Sequence, residues 1–451
     1  MAQQAVERDA LEEEIQQVGR ELWESFPSRS GGPVEALDRK AMELAERDRE
    51  LRAALFRLVD VTPACRSLDE LASHLKGYLA EVHERPPSLE AAMRMAGSKA
   101  GRKALGAAAA AGVRHMAHRF IVGETPRAAL GAIEEQWKHG IATSLDQLGE
   151  ETVTQEEADR YAELCRDTLE TLGEASRGWP ERPQLERDAT GEIPRANVSV
   201  KVTALTPLMH PEAPEVGRDD VARRLRPLLR TACNQRAHLH IDMESVDSLE
   251  TTQELVLRLL HEREFDDVPS VGVVVQAYLR DSPAQLERLL DWAETSGRTP
   301  LTIRLVKGAY WDHEVVEARQ HGWRPPVFES KSECDRNFEE LTRRLLDARP
   351  HVRVAIGSHN LRSLSHAIAY DRLTAVEFRG ALELQVLRGL GDELARALGA
   401  AGFRVRAYCP VGDLVAGMAY LVRRLLENTA NESFLGRQRQ GAAVEELLAA
   451  P

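Results

Sequence analysis

Val271-Gly-Val-Val-Val-Gln276, Gln285-Leu-Glu-Arg-Leu-Leu-Asp-Trp292 and Leu301-Thr-Ile-Arg-Leu-Val306 follow one another along the chain. The first and third are brief β-branched runs, whereas the second spaces its apolar residues three and four apart, the period of a helix with one buried face. Strand, helix, strand is the unit of a parallel sheet, because parallel neighbours need a crossover. The alternation extends both ways. Towards the C-terminus come the helical Phe338-Glu-Glu-Leu-Thr-Arg-Arg-Leu-Leu346 and the strand-type runs Val352-Arg-Val-Ala-Ile356, Leu382-Glu-Leu-Gln-Val386 and Phe403-Arg-Val-Arg-Ala-Tyr408. Towards the N-terminus come His238-Leu-His-Ile-Asp242, Val198-Ser-Val-Lys-Val202 and Gly140-Ile-Ala-Thr-Ser-Leu145. Eight such runs, with room for a helix between each pair, predict an α/β fold, a distorted (β/α)8 TIM-type barrel; an open doubly wound sheet is the competing architecture.

Ahead of the barrel, to about Leu105, apolar residues keep helical spacing, as in Leu51, Leu55, Leu58 and Val59, with no strand-type alternation. Ser67-Leu-Asp-Glu70 and Ser88-Leu-Glu-Ala91 read as helix starts, the first with Glu at the capping-box position. The pattern changes after the Ala-rich stretch 107–111. The predicted division is a helical arm over 1–113, the barrel over 114–435 and a tail over 436–451.

The 451 residues are 43% hydrophobic and 29% charged, ordinary for a globular protein, and the net charge of -13 disfavours nucleic-acid binding driven by phosphate attraction. Cys65, Cys165, Cys233, Cys334 and Cys409 are scattered, with no C-x-x-C pair, so neither a disulfide framework nor a zinc ribbon is predicted. The charged N-terminus lacks a signal-peptide core, and the apolar stretch from Leu105 to Val113 is too short to span a bilayer. A cytoplasmic protein is expected, with peripheral contact at the inner face of the membrane left open.

A barrel of this kind places its active site at the carboxyl ends of the strands. Lys201, Asp242, Gln276, Arg304, Lys307, His359, Gln385 and Tyr408 all fall at or just beyond a predicted strand end. Any one alone reads as a loop residue or a helix cap; their recurrence on one rim points to a site. Beyond the last strand, Tyr420, Arg423, Arg424 and Glu427 stand at i, i+3, i+4 and i+7, on one face of a helix. Two guanidiniums oriented by a glutamate make a carboxylate clamp, and the bland alternative is a surface salt-bridge ladder. Gly389-Leu-Gly391 does not continue into a dinucleotide fingerprint, and there is no Walker-type phosphate loop. His238, His240 and Asp242 share a strand face and, with His359, form the rival reading of a metal-dependent hydrolase; no metal is predicted.

At Arg304-Leu-Val-Lys-Gly-Ala-Tyr-Trp-Asp312 the chain resembles the proline dehydrogenase family. Val200-Lys-Val-Thr-Ala-Leu205, His240-Ile-Asp-Met-Glu244, Val275-Gln-Ala-Tyr278, Ser358-His-Asn360, Arg406-Ala-Tyr-Cys-Pro-Val-Gly412 and Tyr420-Leu-Val-Arg-Arg-Leu-Leu-Glu-Asn428 continue the resemblance in family order over roughly 115–435. The arm is similar, more weakly, to the segment that precedes the barrel in bacterial proline utilization proteins. The resemblance implies non-covalent FAD, oxidation of L-proline to Δ1-pyrroline-5-carboxylate, and electron delivery to a quinone. It implies that Arg423 and Arg424, helped by Lys201 and held by Glu427, pair with the proline carboxylate. Arg304 is placed beside the flavin N5, Asp242 in the network around it, and Gln276, Lys307, Gly308, His359, Asn360 and Gln385 against the cofactor. Tyr310, Tyr408 and Tyr420 border the proline ring, and Tyr408 favours proline because hydroxyproline-preferring relatives carry a small residue there. Two departures are Cys334-Asp335, where Thr-Asp is common, and Ile356-Gly357, where an aromatic-Ala pair is common; Lys331 and Asp335 are the expected residues for the FAD phosphates and site closure. The sequence ends at Pro451 without an aldehyde dehydrogenase half, so a separate glutamate-semialdehyde dehydrogenase is the expected partner.

Overall fold

The computed structural model describes residues 6–25, 48–83, 90–91, 93–94, 97–149, 151–266, 270–296, 300–374, 381–413, 417 and 443–451. Eight parallel strands close into a barrel: β1 Ile141–Gln147, β2 Asn197–Lys201, β3 His238–Asp242, β4 Ser270–Gln276, β5 Leu301–Val306, β6 Val352–Gly357, β7 Leu382–Leu387 and β8 Arg404–Val411. Each is hydrogen-bonded to its sequence neighbour, and β8 returns to β1 with Ser144 opposite Tyr408. The eight predicted runs are these eight strands. The largest differences are at the C-terminal ends of β1 and β8, which run on to Gln147 and Val411.

Strand alternation divides each run between two environments. Val198, Val200, Leu239, Ile241, Ile303 and Leu305 have no exposed surface and face the surrounding helices. Each such side chain contributes about 1.5–3 kcal/mol on burial. The alternate positions face inward and are mostly polar: Ser144 and Asp146, Ser199 and Lys201, His238, His240 and Asp242, Arg404, Arg406 and Tyr408. Barrels of this type usually fill the interior with branched aliphatic side chains. Most buried polar atoms of such an interior must find hydrogen-bond partners, so its pairings are specific.

The arm has two parts. Helix α1, Arg8–Ser25, buries Leu11, Ile15, Val18 and Leu22 in the same apolar cluster as the barrel's outer face. It lies against the helix Leu361–Thr374, where the buried Arg362 is bonded to Glu339 at 2.7 Å, to Glu12 at 2.6 Å and to the Leu448 carbonyl at 3.0 Å. Helices α2, Arg49–Val61, α3, Leu68–Ala80, and α4, Lys99–Phe120, form a second cluster that reaches Ile121, Leu148, Leu390 and Tyr408, at the C-terminal rim of the barrel. Ser67 caps α3 as predicted, through the amide of Glu70 at 3.2 Å, while the Glu70 carboxylate takes the amide of Arg66 and not that of Ser67. Ser88 lies outside the described residues. Residue 113 falls inside α4, so the helical pattern passes through the Ala-rich stretch without a break. No described helix is long and apolar enough to cross a membrane.

Candidate active site

Four of the predicted rim residues meet in one place. Register sets Lys201 opposite Asp242, one strand over. Arg304 Nη1 donates to Asp242 Oδ1 at 2.6 Å, and the Tyr408 hydroxyl donates to Asp242 Oδ2 at 2.6 Å. The guanidinium of Arg304 lies 5.3 Å from the centre of the Tyr408 ring, within cation–π range. Its Nη2 is 3.4 Å from Ser199 Oγ, which is 3.2 Å from Ser144 Oγ. Asp242, on β3, is thus shared by a cation from β5 and a phenol from β8.

Asp146 completes the group and was not among the residues read from the sequence. It has no exposed surface, and it pairs with the ammonium of Lys201, itself 8% exposed. Burial pulls Lys201 towards the neutral form, but Asp146, Asp242 and Glu244 around it more than compensate and hold it above the ordinary lysine range. Burial pushes Asp146 up, aided by the charge of Asp242 and opposed by Lys201. Burial and the same two carboxylates raise Tyr408 far above an ordinary phenol, so it remains a donor. The signal for Asp146 was the inward alternation Ser144, Asp146; reading the strand as ending at Leu145 hid it.

A second group continues the rim past β4 and β5. Gln276 Nε2 donates to the Glu244 carbonyl at 3.1 Å, whereas its Oε1 is buried without a partner. The Glu244 carboxylate accepts from Thr203, and Tyr310 is 3.4 Å from it. The loop after β5 is tied to that after β4 by the bond from Tyr278 N to Lys307 O, 2.8 Å. Gly308 has φ +130°, and a Cβ there would sit 2.5 Å from the Tyr278 ring, so only glycine lets the two loops touch. Lys307 pairs with Asp335, and Lys331 is the exposed first residue of the helix Lys331–Asp347. A helix N-terminus next to two lysines suits phosphate oxygens.

Three predicted residues are placed with protein partners. His359 Nε2 accepts from the Leu387 amide at 2.9 Å at the end of β7. Asn360 caps the next helix, its Oδ1 accepting from the Ser363 amide at 2.9 Å. Gln385 lies one residue pair deeper and bonds Glu383 at 2.6 Å. Tyr420, Arg423, Arg424 and Glu427 lie outside the described residues. His238 and His240 bond one another at 3.1 Å with their rings tilted, whereas His359 bonds the Leu387 amide. Among the described residues, no three His, Cys, Asp or Glu side chains are grouped to hold a metal.

The family described as Proline dehydrogenase matches residues 129–437, which cover the whole barrel. The chain belongs to the proline dehydrogenase family. The family described as Proline utilization A N-terminal domain matches residues 12–120, ending at the last residue of α4. Among curated members, a bifunctional protein PutA of Klebsiella aerogenes is 31% identical over 83% of this chain and 28% of that protein. Proline dehydrogenase 1 of Bacillus subtilis subsp. natto is 26% identical over 73% of this chain and 92% of that one. A hydroxyproline dehydrogenase of Xenopus laevis is 28% identical over 59% of this chain. Among solved structures, proline utilization A of Bdellovibrio bacteriovorus, inactivated by N-propargylglycine, superposes with a TM-score of 0.88 at 35% identity, covering 98% of this chain and 44% of that one. The chain therefore spans less than a third of the bifunctional protein from Klebsiella and less than half of its structural neighbour.

Proposed function

We propose that this chain oxidises L-proline to Δ1-pyrroline-5-carboxylate with non-covalent FAD, the first step of proline breakdown to glutamate. The observation that carries the reading is the joint at Asp242, which holds Arg304 and Tyr408 beside the Lys201–Asp146 pair at the mouth of a polar barrel. The residues present suit a flavin. Gln276 Oε1 and Arg304 Nε are buried without partners, one an acceptor and one a cationic donor, as a ring edge with both N–H and carbonyl groups requires. Gln276, Arg304, Lys307, Gly308, Lys331, His359, Asn360 and Gln385 are the residues assigned to it. When bound, the isoalloxazine takes the hydride from the proline carbon next to nitrogen.

The side chains have distinct tasks. Lys201 keeps its charge through Asp146, and an ammonium has three donors, so it retains bonds for the substrate carboxylate. Arg423 and Arg424, ordered by Glu427, supply the rest of that grip on the sequence assignment. Tyr310, Tyr408 and Tyr420 bound the ring. Arg304, buried and fixed by Asp242, offers a permanent positive charge to the electron-accepting side. The substrate amine must be neutral when the carbon–hydrogen bond breaks, because its lone pair forms the imine.

Electrons then pass to a quinone, and a glutamate-semialdehyde dehydrogenase takes the product after ring opening. The division into arm, barrel and tail belongs to the same reading, with α4 carrying the arm to Phe120. A cytoplasmic site, with peripheral contact at the inner face of the membrane, fits a quinone acceptor. The test is turnover of L-proline with an artificial acceptor dye while o-aminobenzaldehyde traps the pyrroline. Formation of the trapped adduct, and its loss in Lys201→Met with flavin content unchanged, is the expected result; flavin-loaded protein that forms no adduct refutes the proposal.

A further inference from the structure

The arm joins the barrel beside the proposed site. Strand β7 accompanies β8 only as far as Leu387 opposite Tyr408, with one further bond from the Arg388 amide to the Tyr408 carbonyl at 3.0 Å. Beyond that point the partner of β8 is the chain leaving α4. Val122 N donates to Pro410 O at 2.8 Å, Gly412 N donates to Gly123 O at 3.0 Å, and Gly123 lies parallel to Val411. On the other side Leu148 N donates to Val411 O at 2.8 Å. Backbone groups at a strand end need such partners, and here the arm supplies them. The last turn of α4 is fixed as well. Arg119 Nε donates to the Gly389 carbonyl at 3.2 Å, and a Cβ at Gly389 would meet the Phe120 ring at 2.6 Å and the Arg119 carbonyl at 2.9 Å. The strand that carries Tyr408 is therefore anchored to the arm just past that residue.

Side chains repeat the arrangement. Ile121 and Leu148 are buried in the apolar cluster of the arm, and Tyr408 packs against that cluster from the barrel side. Gly412 and Gly417 lie on the same two residues. A Cβ at Gly412 would sit 2.9 Å from Leu148 Cβ, and one at the buried Gly417 would sit 2.7 Å from Ile121 Cδ1 and 3.1 Å from Leu148 Cδ1. Carbon atoms in contact rest at about 3.5–4.0 Å, so neither position takes a side chain unless its neighbours shift. Gly417 stands three residues before Tyr420, where the sequence assigns the grip on the substrate carboxylate. Ile121 thus packs on the chain between Tyr408 and the assigned clamp.

We propose that Ile121 is a positioning residue for the substrate site. With Leu148 it forms a seat that fixes both Tyr408 and the segment leading to the clamp, so the arm sets the shape of the proline pocket through these residues. The inference rests on the function proposed above, and its test uses the full chain loaded with FAD. Gly417→Ala crowds the seat and displaces its neighbours. The KM for L-proline should rise roughly fivefold, with kcat within roughly twofold of wild type and flavin content unchanged, because Arg304 is held by Asp242 and not by the seat. Adding Ile121→Val removes Cδ1, the crowding atom, and should bring KM down to roughly half that of the single variant or lower. Ile121→Ala empties the seat instead, and should raise KM roughly threefold, which keeps the proposal testable if Gly417→Ala fails to fold. A purely structural contact would lower the melting temperature and leave KM where it was. An unchanged KM in the folded Gly417→Ala or Ile121→Ala protein, or a double variant with KM no lower than that of Gly417→Ala, would overturn the proposal. Wild-type protein that binds FAD without turning over proline would instead overturn the function itself, a result distinct from either of these.

Discussion

Tyr408→Phe removes a single oxygen from the centre of the proposed site while leaving the ring beneath Arg304. That oxygen donates to Asp242 Oδ2 at 2.6 Å, and burial together with Asp146 and Asp242 keeps it protonated at any working pH. A hydrogen bond to a charged group contributes a net of about 1.5–3 kcal/mol. Unfolding entropy scales with length, so in a chain of 451 residues each kcal/mol moves the melting temperature by only roughly 1 °C, and the variant should melt roughly 1.5–3 °C lower. Asp242 keeps its bond to Arg304, so the fold should survive. The interaction is isolated by a double-mutant cycle with Asp242→Asn, in which urea unfolding of the four proteins should give a coupling of about 1–3 kcal/mol. A Tyr408→Phe protein that melts within about 1 °C of wild type, or strictly additive effects in the cycle, would refute the shared-carboxylate arrangement. In Tyr408→Ser the ring is also lost, and the ratio of proline to hydroxyproline efficiency should fall as space opens beside the substrate.

Arg424→Met, in the clamp segment outside the described residues, should leave flavin bound and raise the KM for proline at least about tenfold, from the loss of a charge-assisted hydrogen bond; an unchanged KM removes the clamp. Gly272→Ala would put a Cβ 2.2 Å from His240 Nδ1, and overpacking of that kind costs about 1–3 kcal/mol, so urea denaturation should show a lower midpoint. His366 is held neutral by burial and by Arg343 and Arg362, down to about 3 from an ordinary value near 6.5. Because the unfolded chain takes up this proton first, stability falls as pH drops through 6.5 and the loss levels off near 3, with a limiting slope of about 1.4 kcal/mol per pH unit. His366→Gln should flatten the stability profile by that slope, and identical profiles would place the charge elsewhere.

The strands were legible because each couples an outer apolar row to a short length, as in Leu239 and Ile241 or Ile303 and Leu305. Periodicity shows which residues share a face but not how polar residues divide a barrel's interior. His238, His240 and Asp242 do share one face, yet Asp242 belongs to Arg304 and Tyr408, 62 and 166 residues away, while the histidines belong to Ser270 and to each other. Gly272 marks the difference, since the imidazoles occupy the space a side chain would need. Asp146 was hidden by one misplaced strand end, and the docking of α1 by its distance in sequence, the Glu12–Arg362 pair spanning 350 residues. Local pattern carries no record of such partners. The change of pattern near residue 113 reflects composition, whereas the helix itself continues to Phe120.

Anaerobic addition of L-proline to the purified, oxidised protein tests the flavin-barrel reading most directly. The protein should be yellow, and its visible flavin band should bleach on addition of L-proline and return when an electron acceptor is supplied. A colourless protein that takes up no FAD, or a bound flavin that L-proline leaves oxidised, would contradict the function proposed for the site at Asp242.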